Sequence, residues 1–156
     1  IPFYISWMTG ITNGMVRHAP KFFEIAEDFL GFLKEGLFVA HNVNFDYDFI
    51  KTELLQTACA PLQNPRLCTI KLARRIFPGF TRYNLQDLSR NLGVRAERHH
   101  RALDDSLATA KILLLMLSRL EDHGITTLQD LERIYQQSPE ECQDFFAKRP
   151  FPEFSM

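Results

Sequence analysis

A chain of 156 residues, 46% hydrophobic and with 14 Phe, has the length and apolar content of one domain with a real core, which excludes disordered and low-complexity classes. The formal net charge of −1 says nothing by itself, but the charges are unevenly spread. Arg66 to Arg101 holds nine Arg or Lys against two acids, Asp87 and Glu97, whereas Leu120 to Met156 holds eight acids against three bases, a distribution suited to an active face that meets a polyanion or, more simply, to an Arg-rich solvated face.

Cys59, Cys68 and Cys142 are odd in number and have no CxxC spacing, so neither a disulfide framework nor a structural zinc site is indicated, and a reducing, cytoplasmic setting is expected. No apolar run reaches membrane-spanning length, and no membrane partner is expected.

In chain order, Ile1 to Pro20 reads as a strand or loop remnant followed by a turn at Thr9-Gly10. Pro20 suits the first turn of a helix whose apolar stripe is Phe22, Ile25, Ala26, Phe29, Phe32 and Leu33, with Gly36 as its stop. Leu37 to Ala40 is a short strand, apolar on both faces and therefore expected in a sheet interior. A helix follows over Asn44 to Gln56. Pro61 and Pro65 precede a second short strand around Cys68, then a helix over Ile70 to Phe77 stopped by Pro78-Gly79. Asn84 is expected to cap a helix over Leu85 to Leu92. The longest helix is expected over Asp104 to Asp122, with Leu107, Ala110, Leu114 and Leu117 on its buried stripe, and Thr127 caps another through Tyr135. Residues 138–156, with three prolines and four Phe, read as a tail or linker that either packs back or docks elsewhere, leaving 1–137 as the domain. This much helix around two strands makes a thin sheet for an α/β fold, as if its first members were missing.

The groups able to do chemistry gather at two helix starts. Asp46 follows the first strand within His41-Asn42-Val43-Asn44-Phe45-Asp46, the strand end where α/β folds place binding groups, although a carboxylate there also simply complements the helix dipole. Asp105 opens the long helix, with His100 five residues before it and Asp104 as the expected cap. Carboxylates are the hard ligands that Mg²⁺ or Mn²⁺ needs, and imidazole takes a proton near neutral pH. The plainer account is an N-capped helix with a surface histidine. Two aspartates are also fewer carboxylates than a two-metal centre ordinarily uses.

VAHNVNFDYDF and HRALDDSLATA resemble, in order and spacing, the second (HNxxFDxxF) and third (HxAxxD) motifs of the DEDDh 3′–5′ exonucleases of the epsilon proofreading type, and ISWMTGIT and LCTIKLARRIFP are similar to family sequence as well. The resemblance covers Ile1 to about Leu120 and implies an α/β, ribonuclease-H-like three-layer fold. It implies two divalent cations, Mg²⁺ or Mn²⁺, with Asp46 and Asp105 as metal ligands and His100 as the base that deprotonates the attacking water. It also implies that His41, Asn42 and Phe45 shape the terminal-nucleotide pocket and that Thr9, Gly10 and Ile11 lie near the 3′ end. The family's first motif, Asp-x-Glu on the first strand, has no counterpart in these residues. The first three strands, roughly 50 residues at ordinary strand and turn lengths, are therefore expected upstream of Ile1, and these 156 residues alone are expected to be inactive or nearly so. The expected substrate is the 3′ end of single-stranded or frayed DNA, with RNA an alternative for the same centre. Arg98 and Arg101, together with Lys71, Arg74, Arg75 and Arg82, are candidates for backbone phosphates. A polymerase or other replication or repair protein is the expected partner of the tail, and a non-catalytic binding domain is the competing class.

Overall fold

A computed structural model describes residues 1–57, 61–95 and 102–147. Along them run α1 (Phe3–Thr9), α2 (Asn13–Val16), α3 (Phe22–Leu33), β1 (Phe38–Ala40), α4 (Val43–Leu55), β2 (Arg66–Cys68), α5 (Thr69–Ile76), α6 (Leu85–Asn91), α7 (Ala102–Glu121), α8 (Leu128–Gln136) and α9 (Pro139–Ala147). They form two compact units: residues 1–68 with 102–106, and residues 69–95 with 107–147.

In the first unit β1 and β2 pair in parallel, Phe38 opposite Arg66, Val39 opposite Leu67 and Ala40 opposite Cys68. Parallel neighbours need a crossover, and α4 supplies it. Tyr47 is the hub of the packing. Its ring meets Phe38 edge-on at 5.4 Å, its hydroxyl donates to the Leu62 carbonyl at 3.0 Å, and the Arg66 guanidinium lies 4.6 Å above its centroid. Around it gather Ala26, Leu54 and Leu62, with Phe22, Leu30, Leu33 and Ile50 partly buried against them. Burial of Leu54 alone stabilises by about 1.5–3 kcal/mol. The strand expected in a sheet interior is half-buried along its length and has one partner strand among the described residues.

The N-terminal segment is helical, not a strand. Its aromatic residues favour strands, but the expected turn is a helix end: Gly10, at φ 68°, is a left-handed C-cap whose N–H donates to Ser6 O at 2.8 Å, and the Thr9 hydroxyl donates to Ile5 O at 2.8 Å. Lys21, one residue beyond Pro20, is the N-cap of α3, its N–H donating to the Glu24 carboxylate at 2.7 Å. Ala26 is the buried member of the expected stripe, whereas Ile25 and Phe32 face solvent. The helix stops at Lys34, before Gly36, because the Asn64 side-chain amide donates to both Lys34 O (2.9 Å) and Gly36 O (2.8 Å) and holds the turn. Gly36 is required for closeness: a Cβ there would sit 2.9 Å from Leu33 O.

In the second unit the caps fall where the sequence places them. Asn84 Oδ1 accepts from Asp87 N at 2.9 Å, and Thr127 Oγ1 accepts from Asp130 N at 3.1 Å. Helix α7 begins at Ala102, so Asp104 belongs to its first turn and is not the cap. Its buried stripe in this unit is Ala108, Thr109, Ile112, Met116 and Leu120, while Leu107, Ala110 and Leu114 are exposed and Leu117 is half-buried. Both stripes have helical spacing, and the run Ile112–Leu117 is apolar all round, so periodicity cannot choose between them. The expected tail starts as helix α9, packed on α5, with Cys142 and Phe146 buried. A capping box holds its start: Ser138 N donates to the Glu141 carboxylate at 2.7 Å and Glu141 N to Ser138 Oγ at 3.1 Å.

Candidate functional site

Only His41 and Asn42 separate β1 from α4. So tight a reversal needs a left-handed residue, and Asn42 adopts it at φ 71°, a conformation its short polar side chain tolerates better than most. The turn aims the first helical residues beyond the strand end. Val43 is buried and anchors the turn, whereas Phe45 is 73% exposed and Asp46 is also exposed. Phe49, one turn past Phe45 on the same helix face, is exposed as well. Partial desolvation pushes the Asp46 carboxyl above its ordinary 3.8, with its own backbone N–H opposing the shift.

Asp105, like Asp104, is a half-buried residue in the first turn of α7. Residues 102–106 group with residues 1–68, so Asp105 belongs to the same compact unit as Asp46, while the rest of α7 belongs to the other. Among the described residues no three His, Cys, Asp or Glu side chains converge as a metal-binding group. The two aspartates have the right donor chemistry for Mg²⁺ or Mn²⁺, hard carboxylate oxygens, but are two in number. His100, Arg98 and Arg101 lie outside the described residues.

At the other expected contact, the Thr9 hydroxyl is committed locally, donating to Ile5 O and accepting from Ile11 N at 3.1 Å, so this loop presents a fixed backbone with Ile11 half-buried. The basic group is partly reassigned. Arg75, expected as a phosphate contact, is buried: its Nε donates to Ile134 O (3.1 Å) and Gln137 O (2.8 Å), and its Nη1 to Lys71 O (2.8 Å). It satisfies carbonyls left over at the end of α8 and is a structural clamp. Lys71 Nζ lies 5.1 Å above the Tyr135 ring and the Arg74 guanidinium 5.6 Å above that of Tyr83, while Arg82 is exposed. Phe49, the last residue of the HNxxFDxxF motif, is exposed beside Phe45, and Asp104, expected as the cap with either aspartate able to serve as a ligand, lies next to Asp105 in the first turn of α7.

Residues 1–113 match the family model for RNase T-type exonucleases. The chain is 38% identical to DNA polymerase III subunit epsilon of Aquifex aeolicus, across 86% of this chain and 67% of that protein. It is 34% identical to the PolC-type DNA polymerase III of Thermotoga maritima across 94% of this chain, and 38% identical to the 3′-5′ exonuclease DinG of Bacillus subtilis across 87%. It spans only 10% of the former and 15% of the latter. Among solved structures it is similar to exonuclease X in complex with 5′ overhanging duplex DNA, with a TM-score of 0.57 and 27% identity over 83% of this chain and 71% of that one.

Proposed function

Since this chain belongs to the RNase T exonuclease family and has its ribonuclease-H-like α/β fold, we propose that it supplies part of the centre of a metal-dependent 3′–5′ exonuclease acting on single-stranded or frayed DNA. The observation that carries this reading is a pair of carboxylates at helix starts in one compact unit, Asp46 just past β1 and Asp105 in the first turn of α7. The names of the relatives, DNA polymerase III components among them, support a role in proofreading or repair beside a polymerase.

The reaction is hydrolysis of the terminal phosphodiester. Water adds to phosphorus, the bond to the 3′-oxygen breaks, and a 5′-mononucleotide leaves a strand shortened by one residue. Asp46 and Asp105 would hold the divalent cations, whose chemistry there would be to acidify water and offset charge on the departing oxygen. His100 accepts the proton of the attacking water on its imidazole. The exposed ring of Phe45 bears on the terminal base, His41 and Asn42 set the wall beside it, and the Thr9-Gly10-Ile11 backbone borders the 3′ end. Arg98 and Arg101 contact phosphates and fix the strand without reading its sequence. Because two carboxylates are fewer than a two-metal centre uses, full activity is assigned to a polypeptide that also carries an Asp-x-Glu pair, and residues 1–156 alone are expected to cleave poorly.

The test is digestion of a 5′-labelled single strand by the protein carrying this chain, with Mn²⁺, following the stepwise ladder and the released mononucleotide. His100→Ala is expected to lower cleavage by about 10²–10⁴-fold, the usual contribution of a general base. Undiminished cleavage would remove His100 from that role.

A further inference from the structure

We propose that the side of α5 carrying Lys71 and Arg74 is a phosphate-binding face that holds the sugar–phosphate backbone of a DNA strand. The inference deepens the exonuclease reading above and rests on it for the identity of the anion. Both side chains are exposed, and at three residues' separation they share one side of the helix, with Cβ atoms about 5–6 Å apart. Each is seated on a tyrosine that is itself held. Lys71 Nζ lies 5.1 Å from the centre of the Tyr135 ring, which also meets the guanidinium of the clamped Arg75 at 5.6 Å. The Arg74 guanidinium lies 5.6 Å from the centre of the Tyr83 ring, and the Tyr83 hydroxyl donates to Phe77 O at 2.6 Å, which fixes that ring just past the end of α5. All of these residues belong to the second unit.

These two cations are oriented but not neutralised. Elsewhere in the unit Arg75 commits its donors to three carbonyls, Arg90 pairs with Asp87 at 3.2 Å and Arg133 with Asp130 at 3.0 Å. Arg119 lies above the Phe77 ring within the field of Asp122. Lys71 and Arg74 have a ring beneath them and, among the described residues, neither a side-chain hydrogen-bond acceptor nor an ion-pair partner. The helices packed against α5 are α8 and α9. Of their acids, Asp130 pairs with Arg133 and Glu141 caps α9, while Glu132, Glu140 and Asp144 are exposed and form no ion pair with either cation. The helix dipole favours a cation in the last turn of α5 but does not call for a ring beneath it. A guanidinium seated on a ring keeps its fork of N–H donors for an outside acceptor. A phosphate takes two of those bonds at once, and the lysine ammonium supplies a point charge beside it. Contacts of this kind position a strand without reading its bases.

The experiment follows binding of a fluorescein-labelled oligothymidylate to the protein carrying this chain, in EDTA, by anisotropy across a salt series. Cleavage of the same strand with Mn²⁺ and a thermal melt of each variant run beside it. Lys71→Gln and Arg74→Gln are each expected to reduce the slope of log affinity against log salt by about 0.7, and the double variant by about 1.4, one single-strand phosphate contact for each cation. Arg74→Lys, which returns the charge without the fork, is expected to return the slope. Arg133→Gln, which removes a cation already paired with Asp130, is expected to leave it unchanged. Affinities are compared below the lowest melting temperature, and a glutamine variant that does not fold is replaced by methionine, which keeps the apolar stem. Slopes unchanged in Lys71→Gln and Arg74→Gln would overturn the face and, with cleavage intact, leave the exonuclease reading standing. An equal fall in Arg133→Gln would also overturn it, reducing the effect to net charge. Competition by polyglutamate as strong as by unlabelled oligothymidylate of equal charge would overturn the phosphodiester as occupant in favour of an acidic protein segment. No cleavage by the unsubstituted protein would overturn the exonuclease reading, and the salt slopes would then decide the face on their own.

Discussion

Asp46 is exposed, yet its carboxyl is pushed above 3.8 because charging it in the folded chain means giving up some hydration. For a group raised in this way, its favourable contribution to folding is complete below the unfolded value and is lost as pH rises through the folded one. At neutral pH the ionised side chain therefore works slightly against the fold, by an amount that solvent screening keeps small. That position, on a turn built around left-handed Asn42, fits the metal-ligand role proposed for Asp46. Asp46→Asn is expected to leave the melting temperature unchanged or slightly higher, while the cleavage rate of the protein carrying this chain falls more than about 100-fold, the upper end of what a supporting residue of a metal site costs. Calorimetry and the ladder assay on one preparation check both halves, and a drop in melting temperature would instead make Asp46 structural.

At the scale of elements, Arg75 shows how a charge count misleads. Three carbonyls receive its guanidinium, from α5 and from the end of α8, and Arg75→Ala removes all three of these charge-assisted bonds. The expected cost is about 3 kcal/mol, or roughly 6–12 °C in melting temperature for a chain of this size. Oligonucleotide affinity per folded molecule should not change, and a selective loss of affinity would return Arg75 to the phosphate contacts. Sequence shows an arginine in a basic stretch, but not that α8 ends against it. The caps Asn84 and Thr127 were legible because capping is local chemistry between residues three apart. The Ser138-Pro139-Glu140-Glu141 box was equally local and was masked by the prolines after it. Helix α1 and the stripe of α7 were not legible. In the first, strand-favouring aromatics outweighed a single Gly10 cap; in the second, a helix apolar all round offers two faces, and packing alone selects one.

For the molecule as a whole, two acids are raised from the outside of neutrality. Burial pushes the Cys142 thiol above 9.0, against the nearby Arg75 charge and with help from Glu141, and burial pushes the Tyr83 phenol above 10.0, against a backbone hydrogen bond and Arg74. Both ionise first in the unfolded chain, so the stability they contribute is complete below about pH 9 and is lost above it. Urea midpoints are expected to hold level from pH 7 to 8.5 and to fall between pH 9 and 11, and a level profile across that range would show that neither group is sheltered. Of the candidate centre, the strand-to-helix turn and the helix-start position of Asp105 could be read from residue order, because each depends on a few neighbours. That Asp104 lies inside the first turn and that Thr9 is consumed by its own helix end depend on hydrogen bonds that residue order does not reveal. The parallel ladder also dictates a sequence in time. Helix α4 can form within about a microsecond from its own residues, but Phe38 meets Arg66 only when the loop containing all of α4 closes, a slower and entropically costlier event. During refolding, then, helical signal is expected to return first, and the turn that carries Asp46 to be fixed only at ladder closure.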